Sequence, residues 1–138
     1  MDSADGWIVN TVDKSPAFVA AEAGYDVWIG NLRGNKYSLG HDTLDYIEDG
    51  EAYFDFDIST HSRIDLVTMV DYILSLVIDY PKIAYVGHSM GTTIMFQLAS
   101  ENPFYVESKI SSVIALAPAL VPSHTTSLFV KKIIPIQD

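Results

Sequence analysis

The sequence predicts an α/β protein built on parallel strands. Three observations carry that prediction. Short runs of β-branched and aromatic residues alternate with stretches of helical periodicity, the pattern of βαβ units with a parallel sheet covered by helices on both faces. A glycine-rich turn, Gly87-His88-Ser89-Met90-Gly91, sits where one of those strands meets a helix. The chain has 138 residues, is 49% hydrophobic and 19% charged, and so has the size and composition of one globular domain covering residues 1–138.

The first element is a helix. Ser15 suits the N-cap and Pro16 the first helical position. Residues 17–23 are rich in helix formers, and Gly24 stands where a glycine stops a helix. Residues 25–30 follow as a strand, with Tyr25, Val27, Trp28 and Ile29. Residues 31–35 read as a loop. From about Thr60 the residues Ile64, Val67, Val70, Ile73, Leu74, Val77 and Ile78 recur at three- and four-residue spacing, one apolar helical stripe. Beyond Pro81, residues 82–86 form a short strand, helical pattern resumes over 90–100, and Asn102-Pro103 breaks it. The run 113–117 has the length of a buried strand and ends at Pro118. The tail from Ser123 onward receives no assignment.

The net charge of −10 argues against a nucleic-acid partner, since no basic patch is available to neutralise phosphates. Much of the charge is local: Asp42, Asp45, Glu48, Asp49, Glu51, Asp55 and Asp57 share one stretch without a Lys or Arg. A solvated acidic loop is the expected reading. The alternative, a calcium loop, lacks the EF-hand spacing. There is no cysteine, which removes disulfides, thiolate zinc sites and a thiol nucleophile from consideration. No metal and no cofactor is expected. The first residues lack the basic and apolar stretches of a signal peptide, and no apolar run approaches the length that spans a bilayer, so stable membrane insertion is not expected.

The Gly-x-Ser-x-Gly turn is where chemistry is expected. A nucleophilic serine on a tight strand-to-helix turn projects its Oγ from the top of the sheet. Side chains at Gly87 or Gly91 are expected to clash in such a turn. The helix then starts at the nucleophile, which makes Ser89 the candidate nucleophile and the backbone N–H of Met90 a candidate oxyanion donor. The bare motif is a weak signal, and its position between a strand and a helix gives it weight. His88 is adjacent to Ser89 and points elsewhere on a sharp turn, so it is expected to be a packed, hydrogen-bonded residue behind the elbow. Among the other histidines, His124 follows Ser89 in the order Ser, acid, His, but no acidic residue after the last strand precedes it. His61 reads as a helix-start residue and His41 as a loop residue.

Several segments together resemble the acid lipase family, which includes the lysosomal and gastric lipases, within the α/β-hydrolase superfamily. They are residues 2–10, 17–19 and 23–31 with Gly24-Tyr25-Asp26-Val27-Trp28, then Arg33-Gly34-Asn35-Lys36-Tyr37-Ser38 and Phe54-Asp55-Phe56. Asp65-Leu66, Asp71-Tyr72-Ile73, 85–93 and 115–118 continue the likeness. The resemblance implies a secreted or lysosomal serine hydrolase of neutral-lipid esters, triacylglycerol or cholesteryl ester, acting through an acyl-enzyme without metal. It places Ser89 at the nucleophile and Met90, where the family usually has Gln, at one oxyanion N–H. It also implies that the second oxyanion donor and a central strand precede the segment matching Met1, and that the triad Asp and His lie beyond residue 138. The expectation is therefore an incomplete α/β-hydrolase fold, an internal piece of a longer lipase, inactive and poorly folded by itself. Two other readings stand beside it: a non-catalytic lipid- or partner-binding chain, and another esterase or thioesterase on the same fold.

Overall fold

The computed structural model of the chain describes residues 3–120. Backbone contacts divide the chain into two compact units, Met1–Val77 and Ile78–Asp138.

The first unit is mostly helix and loop. A short 3-10 turn, Ala4–Trp7, precedes helix α1, Pro16–Glu22. Ser15 occupies the N-cap with extended backbone, but its hydroxyl makes no cap hydrogen bond and donates instead to the Asn10 carbonyl at 2.9 Å. Past the other end of α1, Gly24 takes a φ of +93°. The N–H groups of Gly24 and Tyr25 then reach back to the carbonyls of Ala21 and Ala20, the closed C-terminal turn that a glycine allows.

The strand expected at 25–30 is not formed. Beyond Tyr25, whose N–H closes α1, its backbone has no ladder partner among the described residues. Strand propensity reflects fit to a neighbouring strand, and without one it produces no strand. Trp28 packs edge-on to Tyr72 at 6.2 Å. Within the acidic stretch, Asp45 Oδ1 accepts the N–H groups of Ile47 and Glu48 at 2.8 and 3.1 Å, and a short helix α2 spans Gly50–Tyr53.

Helix α3, Ile58–Thr60, opens on a capping box: Asp57 accepts the Thr60 N–H at 2.9 Å while the Thr60 side chain accepts the Asp57 N–H. It runs without a break through a π-helical segment, His61–Leu66, into α4, Val67–Leu76. The π turn explains a departure from the expected stripe. Val70 is buried and Val67, Ile73 and Leu74 are half-buried, as a regular helix requires, yet Ile64 is 51% exposed while Asp65 and Leu66 are buried. The wider turn rotates the face that residues before Val67 present.

The second unit holds the sheet. Strand β1, Ile83–His88, pairs in parallel with β2, Ile110–Leu116, in the register Ala84↔Ser112 to His88↔Leu116, with one irregularity between Ile83 and Ala84. A parallel pair needs a crossover, supplied by α5, Met90–Glu101, and α6, Pro103–Lys109. The break at Asn102-Pro103 is a restart: the Asn102 side chain accepts the Tyr105 N–H at 3.2 Å and Pro103 begins α6. Ile94, Met95, Leu98 and Ile110 are buried. Strand β2 starts earlier than expected, and Val113, Ile114 and Leu116 are exposed rather than buried. Strand length in the sequence specified the element, not its cover.

Candidate active site

Ser89 sits between the last residue of β1 and the first of α5 with φ +50° and ψ −115°. A non-glycine residue with positive φ is strained and persists only where its surroundings hold it. Two contacts do so from opposite sides. The Ser89 N–H donates to the Leu116 carbonyl at 3.0 Å, which continues the β1–β2 ladder by one residue. The Ser89 carbonyl accepts the Thr92 N–H at 2.9 Å and the Thr92 hydroxyl at 2.6 Å. Ser89 itself is exposed, so a nucleophile on this turn is accessible to substrate. Met90 is the first residue of α5, and its N–H has no intrahelical acceptor.

The two flanking glycines do different work. A Cβ on Gly87 would lie 3.0 Å from the Gly91 carbonyl carbon and 2.8 Å from the Tyr85 ring, so glycine is sterically required there. A Cβ on Gly91 would meet only the Tyr85 hydroxyl, at 3.5 Å, an ordinary contact. The clash expected at both positions holds at Gly87 alone. Gly91 contributes its backbone, because Tyr85 donates its hydroxyl proton to the Gly91 carbonyl at 2.8 Å. Burial pushes the Tyr85 phenol up to about 12, so it remains a donor at any physiological pH.

His88 is exposed, not packed behind the elbow, because it is the last residue of β1 and its side chain falls on the face opposite buried Gly87. No hydrogen bond links it to Ser89 among the described residues. His61 lies in the first turns of the 58–76 helix, as expected of a helix-start residue, but it is buried, with Nδ1 2.9 Å from Asp65 Oδ2. Asp65 also accepts the Arg33 Nε–H at 2.7 Å and pairs with Arg33 Nη2 at 2.6 Å. Burial opposes ionisation of Asp65, yet Arg33 and His61 outweigh it and hold the carboxyl below its ordinary range. That makes a structural ion cluster of a pair that resembles a catalytic base with its orienting acid. His41 is a loop residue whose Nδ1 accepts the N–H groups of Thr43 and Leu44 at 3.1 and 3.0 Å. His124 lies outside the described residues. Among the described residues no group of three His, Asp or Glu could hold a metal ion.

Two participants escaped the sequence reading. Thr92, fully buried, and Tyr85 both bond to elbow carbonyls. A hydroxyl three residues past Ser89 is the available signal, since Thr in a first helical turn back-bonds to the carbonyl three or four residues earlier.

Ser89 stands at positive φ between a parallel strand and a helix, the backbone geometry that a nucleophile elbow requires. The alpha/beta hydrolase fold family matches residues 3–137. The chain belongs to the α/β-hydrolase family. It is similar to Lipase 1 of Drosophila melanogaster, 41% identical over 125 residues, which are 91% of this chain and 28% of that protein. The gastric triacylglycerol lipase of Bos taurus is 41% identical over 131 residues, 95% of this chain and 32% of the lipase. The human gastric triacylglycerol lipase is 39% identical over 129 residues, 94% of this chain and 31% of the lipase. The resemblance to lipases and the α/β-hydrolase class both hold. The chain spans 28–32% of the length of these relatives.

Proposed function

We propose that this α/β-hydrolase chain supplies the nucleophile of a lipase-type serine hydrolase acting on carboxylic esters of neutral lipids, triacylglycerol or cholesteryl ester. The observation that carries the proposal is Ser89, exposed on a strained turn at the carboxyl end of a parallel strand. Ser89 Oγ attacks the ester carbonyl, the Met90 N–H holds the developing oxyanion, the alcohol leaves, and water releases the fatty acid from the acyl-enzyme. A histidine must take the serine proton. His88, exposed and without a hydrogen bond to Ser89 among the described residues, does not serve. On this reading the base and its carboxylate belong to sequence that these residues do not include, both units are parts of one hydrolase domain, and the 138 residues alone do not turn over. Substrate is a lipid ester because the relatives are lipases by name; no nucleic acid takes part.

The test is a fluorophosphonate probe applied to a lysate of the source cells, with the labelled proteins identified by mass and peptide. The peptide containing Ser89 becomes labelled in a species larger than 15.3 kDa, and Ser89→Ala abolishes labelling and lowers ester hydrolysis by about 10⁴-fold or more. A probe that leaves Ser89 unmodified while labelling other serine hydrolases in the same lysate refutes the proposal.

A further inference from the structure

The Ser89 carbonyl and the Met90 N–H are the two ends of one planar trans peptide unit. Whatever fixes the direction of that carbonyl therefore fixes the direction of the N–H. The carbonyl is held by Thr92 through both its N–H and its hydroxyl, at 2.9 and 2.6 Å. The hydroxyl is itself oriented. The Ala119 N–H donates to Thr92 Oγ1 at 3.1 Å, which occupies an acceptor site on the oxygen and leaves the hydroxyl proton for Ser89. Ala119 is anchored a second time, since Thr93 Oγ1 donates to its carbonyl. The turn that presents Ala119 follows Ala117, whose φ of +46° makes it, after Ser89, the other non-glycine residue with positive φ among the described residues. Thr92 is fully buried, so water cannot replace a missing hydroxyl without opening the turn.

We propose that Thr92 is a positioning residue for the oxyanion donor: its hydroxyl, oriented by Ala119, locks the Ser89–Met90 peptide plane so that the Met90 N–H points where the oxyanion forms. The proposal rests on the serine-hydrolase reading above. It assigns to the turn after β2 a task in catalysis, which is to keep a strained peptide of the neighbouring strand from rotating.

The experiment compares wild type, Thr92→Val and Thr92→Ser in the full-length enzyme, with Ser89→Ala as control. It measures kcat and KM on p-nitrophenyl butyrate and the affinity of a phenylboronic acid, which forms a tetrahedral adduct on the serine. Loosening an oxyanion donor should act less strongly than deleting one, which lowers kcat by about 10²–10³-fold. Thr92→Val is expected to lower kcat by about tenfold with KM within about twofold, and to weaken boronate binding by a similar factor, as loss of a transition-state interaction requires. Thr92→Ser restores both to within about threefold. A merely structural role would scale down the active fraction without weakening boronate binding in the molecules that remain folded. If Thr92→Val does not fold, Thr92→Cys, with a weak donor in a similar volume, takes its place under the same thresholds. An active wild type with an unaffected Thr92→Val, or a Thr92→Ser as impaired as Thr92→Val, overturns the positioning role alone. A wild type no more active than Ser89→Ala overturns the catalytic reading and this proposal with it.

Discussion

In the second unit Tyr85 meets Gly91 across six positions and Thr92 meets Ser89 across three. In the first unit the carboxylate of Asp65 meets Arg33 across 32. The elbow is consequently a local device: strand, turn and first helical turn supply most of the groups that hold it, and among the described residues Leu116 and Ala119 reach in from farther along the chain. Among the described residues the first unit has no ladder to organise it. Its 25–30 run finds no pairing partner among the described residues, and its buried polar centre is an ion cluster joining a loop to a helix. The Gly-x-Ser-x-Gly spacing of the local device can be recognised from sequence, whereas Tyr85 and Thr92, which brace it, carry weaker signals. Clusters assembled from distant residues carry no spacing to recognise.

That contrast can be tested by damaging each side. Asp65→Ala should have the largest effect on stability, about 3 kcal/mol, because it leaves His61 buried without its partner and Arg33 without its counter-ion. A lowered urea midpoint, with faster amide exchange over residues 58–76 than over 83–101, is the expected result. Equal acceleration of both stretches would mean that the two units unfold together.

Alkaline pH probes the other side. The Tyr85 phenol lies at about 12 in the folded chain against an ordinary value of 10. Between those values the unfolded chain releases a proton that the folded chain keeps, so stability is intact below pH 10 and declines as pH rises through 12, by about 2 to 3 kcal/mol. Tyr85→Phe should flatten that decline in a pH series of thermal melts. An unchanged slope would place the alkaline sensitivity elsewhere.

A smaller effect separates the two glycines. Gly87→Ala should destabilise by about 2 kcal/mol, because its Cβ meets backbone that cannot move aside. Gly91→Ala should be neutral or stabilising by up to about 1 kcal/mol, since alanine favours the helix over glycine and finds only an ordinary contact. Melting temperatures of the two variants decide it; equal losses would return both glycines to the same steric role.

The elbow was the most legible part of this protein. Gly87, Ser89 and Met90 stand where strand and helix patterns placed them, and the parallel pairing of β1 with β2 follows the expected alternation. The rest failed for physical reasons that differ by residue. Residues 25–30 have strand composition but no neighbour to pair with among the described residues, and pairing is not written in a single segment. Helix α6 was missed although Asn102-Pro103 is a good capping pair, because the same two residues also read as a break. The π turn at His61–Leu66 shifted Ile64 out of the stripe, and nothing in a 3.6-residue period announces an inserted residue. Arg33 and Asp65 both lie within the stretches resembling lipases, yet no rule of spacing joins them. His88 fills a motif position that is not a packing position, because strand alternation turns its side chain to the exposed face.

Ala117 bears on the handedness of the backbone. With φ at +46°, it holds a conformation that L-residues avoid by roughly 1–2 kcal/mol and that the mirror-image residue prefers. The fold therefore asks for opposite chirality at the residue leaving β2, as it does at Ser89 leaving β1, and in both places an L-residue complies. A chain assembled by chemical ligation with D-alanine at 117 would keep the turn that carries Ala119 and shed its strain. The stability gained would measure how much conformational tension the protein stores beside Ser89.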